Sequence, residues 1–137
     1  MSYSPLTGLV YLSAQEQWMV MSRVKDGEFR FVPFRSNSGF SYTSHPEERK
    51  RLQAIADSRE KGYLLAWDPV QQKQAFRVPY PYPGSGGTLS TAGNILVQGT
   101  IRKTLAVYRA DNGAKLWEMD TQTVAIAGPM TYEADGE

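Results

Sequence analysis

Apolar positions come in short runs that suit strands, and only one segment carries a helical period. "TGLVYLSAQ" (Thr7–Gln15) has an apolar core of Leu9, Val10, Tyr11 and Leu12 behind a Pro5/Gly8 turn, which predicts a buried strand. "QWMVMSRV" (Gln17–Val24) predicts a second strand, with Asp26-Gly27 as the hairpin turn after it. "EFRFVPF" then alternates strictly, Phe29, Phe31 and Pro33 against Arg30, Val32 and Phe34. Arg35–Ser44 is small and polar, a predicted loop. Pro46–Gly62 is the predicted helix. Pro46 suits its first turn, Glu47 and Glu48 sit where the helix dipole favours acids, and Gly62 can end it. Leu52, Ile55 and Ala56 share one face and charge covers the other, so this helix is peripheral.

From Tyr63 the strand texture returns. Tyr63–Asp68 and Lys73–Val78 flank "PVQQ", a hairpin connection, and Asn94–Thr100 has the look of a central strand. "TLAVYR" and "AKLWEM" flank "ADNG", whose Asn112-Gly113 is a strong hairpin signal. Val124–Ala127 predicts a further strand before Gly128-Pro129. Two of these hairpins match: Ala66–Phe76 lies over Val107–Trp117, an aromatic closing each return strand. A period near ~40 residues with four short strands per unit is the mark of propeller blades. Each blade is a small twisted sheet whose faces its neighbours must cover.

The stretch "PYPYPGSGGTLSTAGN" (Pro79–Asn94) breaks this pattern. It lacks the lysine of a phosphate-binding P-loop, and Gly84, Gly86 and Gly87 lack the third glycine and the following helix of a dinucleotide turn. Ser90 lacks the flanking glycines of a nucleophile elbow. The three prolines stiffen it against a linker role, which leaves a tight corner between blades.

Composition narrows the chemistry. Fifteen basic and fourteen acidic side chains give a net charge of +1, so no bulk field points to nucleic acid or an anionic membrane. Cysteine is absent, which removes disulfides, thiol nucleophiles and thiolate metal sites. His45 is the sole histidine and cannot build a zinc site or place a Ser-His-Asp set. "ADNG" carries one carboxylate, too few for an EF-hand calcium loop. The first residues lack the basic start and apolar run of a secretory signal, and no window predicts a membrane span.

The residues from "GYLLAWDPVQQKQAFRVPYPYPGSGGTLSTAGNILVQGT" to "VYRADNGAKLWEMDTQTVAIAGPMTYEADGE" resemble the C-terminal part of quinoprotein alcohol dehydrogenases, the methanol/ethanol dehydrogenase group that uses pyrroloquinoline quinone (PQQ). "MSYSPLTGLVYLSAQ" and, more loosely, "GEFRFVPFRSNSG" resemble earlier stretches of the same enzymes. The resemblance implies an eight-bladed propeller of W-shaped, four-stranded sheets. PQQ and calcium sit near its axis, an aspartate base starts oxidation of a primary alcohol to an aldehyde, and the enzymes are periplasmic. The expected fold is therefore all-β, an incomplete β-propeller of about three W-shaped blades or parts of blades, with one peripheral helix. Residues 1–137 are expected to form a single partial propeller domain with a helical insertion at about 46–61.

The resemblance also places the family's catalytic aspartate, calcium ligands and most quinone contacts upstream of this chain, so no catalytic or metal residue is expected in it. A family Asn-Trp pair that touches the quinone would fall just before Met1, which is then expected to be an internal methionine of a longer protein or the start of a truncated reading frame. One quinone contact should lie within the chain. The family pattern Pro-Trp-Asn-Gly-Gly-Thr-Leu-Ser-Thr-Ala-Gly, its tryptophan turned toward the cofactor, falls on Pro83, Gly84, Ser85, Gly86 and Gly87. Gly84 and Ser85 are thus the candidate cofactor-binding positions, with the family's Trp and Asn replaced, and a wall with glycine there would be open. Phe76 stands for a blade tryptophan, Ile101-Arg102-Lys103 for a turn that usually has glycine, and Val124 for a glycine.

The expected function is that of a C-terminal fragment of a PQQ- and calcium-dependent alcohol dehydrogenase, inactive alone. Its partner would be the rest of the propeller or a second copy of itself, and a small alcohol would bind only in the full enzyme. The alternative is a noncatalytic propeller-type interaction module or a degenerate gene product.

Overall fold

The computed structural model describes residues 1–16, 22–24, 27–41, 47, 50, 51, 54, 62–82 and 84–135. The chain divides into two compact units, Met1–Glu16 with Glu60–Glu137, and Gln17–Arg59. The first unit holds two four-stranded antiparallel sheets. One is built from β1 (Ser2–Ser4), β2 (Leu9–Gln15), β5 (Gly62–Asp68) and β6 (Lys73–Tyr80); the other from β7 (Ser85–Ser90), β8 (Ile95–Thr100), β9 (Thr104–Arg109) and β10 (Lys115–Asp120). In both, neighbours in the sheet follow chain order, so each is a meander, the W of a propeller blade. The protein is all-β, part of a propeller whose ring is not closed.

The matched hairpins are the third and fourth strands of the two blades. β5 and β6 pair with Leu64 opposite Val78, and β9 and β10 with Val107 opposite Trp117. Each hairpin carries a bulge, between Ala66 and Trp67 in the first and between Lys115 and Trp117 in the second. Period-2 burial builds the core between the sheets. Leu9, Tyr11, Leu64 and Ala66 face Leu96, Ala106, Tyr108 and Ala110. Tyr11 is fully buried, and its hydroxyl donates to the carbonyl of Ala110 (2.7 Å) and shares a hydrogen bond with Thr7 Oγ1 (2.6 Å). The first strands are joined by side chains: Thr88 Oγ1 donates to the carbonyl of Tyr11 (3.0 Å) and Ser90 Oγ to that of Tyr3 (2.8 Å).

Turns follow local chemistry. Asp68 Oδ1 accepts from the amides of Val70 and Gln71, both at 2.9 Å, closing the β5–β6 turn. Asn112 Oδ1 accepts from the Ala114 amide (2.9 Å), and Gly113 takes φ +75° at the tip of β9–β10. That tip lies on the first blade. A Cβ on Gly113 would stand 2.6 Å from the Phe76 ring and 2.9 Å from Val78 Cγ2.

Four expectations differ from the structure. Gly62 does not end a helix but opens β5, and a Cβ there would come within 2.5 Å of the Tyr80 ring. Ser85–Ser90 is a strand, so the corner is shorter than the sequence predicts. Val124–Ala127 joins no sheet; the Ala125 amide donates to Thr100 O at the end of β8 (3.1 Å). "EFRFVPF" is not a strand either. Pro33 has no amide for a ladder, and apolar residues on both faces leave no side for water.

In the second unit, β3 (Ser22–Arg23) pairs with β4 (Phe40–Ser41). The side chain of Asn37 closes the loop between them, accepting from the Val32 amide (2.9 Å) and donating to the carbonyls of Val32 (3.0 Å) and Arg35 (2.7 Å). Phe29, Phe31 and Phe34 are exposed. Of the expected helix, Glu47, Lys50, Arg51 and Ala54 are helical; Pro46, Leu52, Ile55 and Ala56 lie outside the described residues, as do most of Gln17–Val24 and His45. No helix among the described residues is long and apolar enough to cross a membrane.

Candidate functional site

The corner predicted to meet a cofactor lies where the chain leaves β6 and enters β7. Tyr80, at the end of β6, is buried, and its hydroxyl shares a hydrogen bond with Ser13 Oγ (3.0 Å). Tyr82 stacks on it with centroids 4.9 Å apart and planes inclined by 24°. The guanidinium of Arg102, from the β8–β9 turn, stands 5.4 Å above the Tyr82 ring, within cation–π range. Pro83 lies outside the described residues. Gly84 turns the chain at φ +74°, which a side chain adopts only at a cost.

Space at Gly84 is bounded by two side chains. A Cβ there would meet Gln15 Oε1 at 3.3 Å, tighter than ordinary van der Waals contact, and Ile101 Cγ2 at 4.0 Å. Ser85 opens β7 opposite Thr100, and the register then slips before Thr88. The structure therefore brings Gly84 and Ser85 beside the β8–β9 turn. Thr100 Oγ1 accepts from the Arg102 amide (3.1 Å) and shares a hydrogen bond with Thr104 Oγ1 (2.8 Å), which ties down the start of that turn.

Gln98, absent from the candidates drawn from sequence, supports this corner. It is fully buried and its Nε2 donates to the carbonyl of Gly86 (3.4 Å), while its Oε1 has no partner. The sequence signal was available: a glutamine inside an apolar strand is costly unless it serves a contact. Burial pushes the pKa of Tyr108 up to about 12, helped by the phenol of Tyr82 and the carboxylate of Glu118.

The other candidate, "ADNG", is a structural turn. The Asp111 carboxylate accepts from Arg109 Nε (3.0 Å) and Asn94 Nδ2 (2.9 Å). The hydrogen bond from Arg109, then that from Asn94, holds its pKa below the usual carboxylate range. Among the described residues no three His, Cys, Asp or Glu side chains gather to hold a metal. The groups named at the Gly84 corner are amides, two phenols, an isoleucine and a guanidinium. They can wall a planar ligand, but they offer no acid–base pair for catalysis.

Residues 53–137 match the family described as PQQ: glucose/ethanol/alcohol dehydrogenase, β-propeller domain. The chain is 41% identical to quinohemoprotein alcohol dehydrogenase ADH IIB of Pseudomonas putida over 99% of its own length and 18% of that protein. It is 43% identical to quinohemoprotein alcohol dehydrogenase of Comamonas testosteroni, over 99% of the chain and 19% of that protein. The crystal structure of the Comamonas testosteroni enzyme superposes with a TM-score of 0.78 at 38% identity, covering 99% of this chain and 20% of that one. The structure of ADHIIG from Pseudomonas putida gives 0.82 at 39% identity, covering 100% and 20%. The chain thus spans about a fifth of the length of these relatives.

Proposed function

Because this chain belongs to the PQQ glucose/ethanol/alcohol dehydrogenase β-propeller family, we propose that its Gly84–Ser85 corner is one wall of a quinone pocket in an alcohol-oxidising propeller. The observation that supports this reading is the left-handed glycine corner at Gly84, bordered by the side chains of Gln15 and Ile101 and preceded by the stacked Tyr80 and Tyr82. In that pocket Arg102 supplies a positive charge at the rim and Tyr82 an aromatic edge. The quinone, when bound, supplies the two-electron acceptor for the alcohol.

Among the described residues no three His, Cys, Asp or Glu side chains gather to hold calcium; by family resemblance the metal ligands and the catalytic aspartate belong to other blades, and no step of the oxidation is routed through this chain's own groups. The chain alone is inactive, and residues 1–137 form a single partial propeller domain with a helical insertion at about 46–61. The working enzyme takes a primary alcohol as substrate and resides in the periplasm.

The test is a titration of the chain with PQQ, with and without calcium, followed by Trp67 and Trp117 fluorescence and by dye-linked ethanol oxidation. With most quinone contacts on other blades, weak quenching without turnover is the expected result. Turnover by the chain alone refutes its inactivity, and absence of quenching refutes the wall. The uncovered apolar residues of the second blade also predict self-association. A stable monomer at high concentration in light scattering would refute that.

A second reading, a noncatalytic interaction module, is favoured by the exposed Phe29, Phe31 and Phe34. Saturable quinone binding would speak against it.

A further inference from the structure

Three glycines of the β7–β8 pair have no room for a side chain, and the same segment fills the space at each. A Cβ on Gly99 would lie 2.3 Å from the carbonyl oxygen of Ala125 and 2.8 Å from its Cβ. On Gly86 it would lie 2.5 Å from the Ala125 oxygen and 3.2 Å from that of Ala127, and on Gly87 2.8 Å from Gly128 Cα. Real Cβ atoms do not approach so closely, so glycine is required for contact here rather than for φ.

The segment after β10 is anchored by its own backbone. The Thr121 amide donates to Lys103 O (2.7 Å) and the Ala125 amide to Thr100 O (3.1 Å). Both acceptors border the β8–β9 turn that lines the Gly84 corner. Val124 and Ile126 are 50% and 60% exposed, so the segment docks through backbone and not through an apolar face. Gln98 and Gly99 point to opposite faces of β8 by the alternation of a strand. The Gly86 backbone is therefore held from both faces, by the segment on one and by Gln98 Nε2 on the other.

We propose that residues 121–128 form a strap whose docking on Gly86, Gly87 and Gly99 positions the Gly84–Ser85 corner, with Gln98 as the positioning residue on the opposite face. What the corner binds rests on the quinone reading above; the strap does not. Ala125→Pro in the full chain removes the amide bonded to Thr100 and acts outside both sheets. Amide hydrogen exchange then reads each part separately. The expected result is about tenfold faster exchange over both 84–88 and 121–128, with Leu64–Ala66 and Ala106–Tyr108 unchanged. Gly87→Ala is a second, milder variant with the same expectation. Gly93→Ala is the control, because a Cβ there meets nothing nearer than Thr91 Oγ1 at 3.7 Å.

Faster exchange confined to 121–128, no change in either segment, or an equal effect of Gly93→Ala overturns the proposal. PQQ titration separates it from the reading it rests on. If the native chain binds the quinone, Ala125→Pro is expected to weaken binding about tenfold, and unchanged affinity overturns the positioning role. If the native chain does not bind, the quinone wall falls and the exchange pattern alone decides the strap.

Discussion

Phe76 and Trp117 stand at equivalent points of two successive hairpins, each closing the return strand of its blade. Around Phe76 the next blade has arrived. Gly113 of that blade lies on its ring, while Tyr11 of its own blade sits 6.4 Å away, centroid to centroid. Around Trp117 nothing in the described chain does the same: it is 50% exposed, and every residue of β10 is exposed with it. The two hairpins share a period, a bulge and a closing aromatic. They differ only in having a neighbour. A blade aromatic is thus half of an interface, and its contribution depends on the tip of the following blade.

The largest break in this comparison is expected from the tip itself. Gly113→Ala places a methyl group on Phe76 and Val78 at a positive φ, and should cost about 3 kcal/mol in urea unfolding, from backbone strain and overpacking together. Alkaline pH should act almost as strongly on the covered core. Tyr108 has its pKa raised to about 12 in the fold against an ordinary value of 10.0. Below pH 10 both states hold the proton. Above it the unfolded chain ionises first, so stability falls from pH 10 toward pH 12, by an amount on the order of 2–3 kcal/mol. Tyr108→Phe should remove that part of the alkaline loss.

Truncating the two aromatics measures the comparison directly. Phe76→Ala should cost about 2 kcal/mol, as a partly buried ring that leaves a cavity, whereas Trp117→Ala should stay within about 0.5 kcal/mol, as a surface change. Equal effects would mean that the neighbouring blade contributes nothing at Phe76. A further small effect concerns a turn. Lys103 holds φ +63° where Gly113 holds +75°. Lys103→Gly should raise stability by roughly 0.5–1 kcal/mol, relief of strain less the added chain entropy.

Much of the fold was legible from local pattern. β2, β5, β6, β8, β9 and β10 follow from short apolar or alternating runs between turn signals, and Asn112-Gly113 marks its hairpin. β7 was not legible. "SGGTLS" has two glycines and little β-branched surface, and it becomes a strand because β8 offers a ladder and β1 and β2 accept its hydroxyls. "EFRFVPF" erred the other way, with an alternating pattern but no strand partner. At the candidate site, Gly84 was visible through family resemblance. Gln98 carried a signal, a glutamine inside an apolar strand, whereas Gly99 carried none, because its close neighbour comes from far along the chain.

By itself the sequence determined the hairpins, their spacing and the family, because period-2 patterning and turn chemistry act over a few residues. The tertiary structure alone decided what each glycine is for. Gly84 and Gly113 serve a left-handed backbone, which a turn motif can announce. Gly86, Gly87 and Gly99 instead leave room for a segment that returns from Ala125–Gly128. That close approach joins residues far apart in the chain, and no local pattern records it.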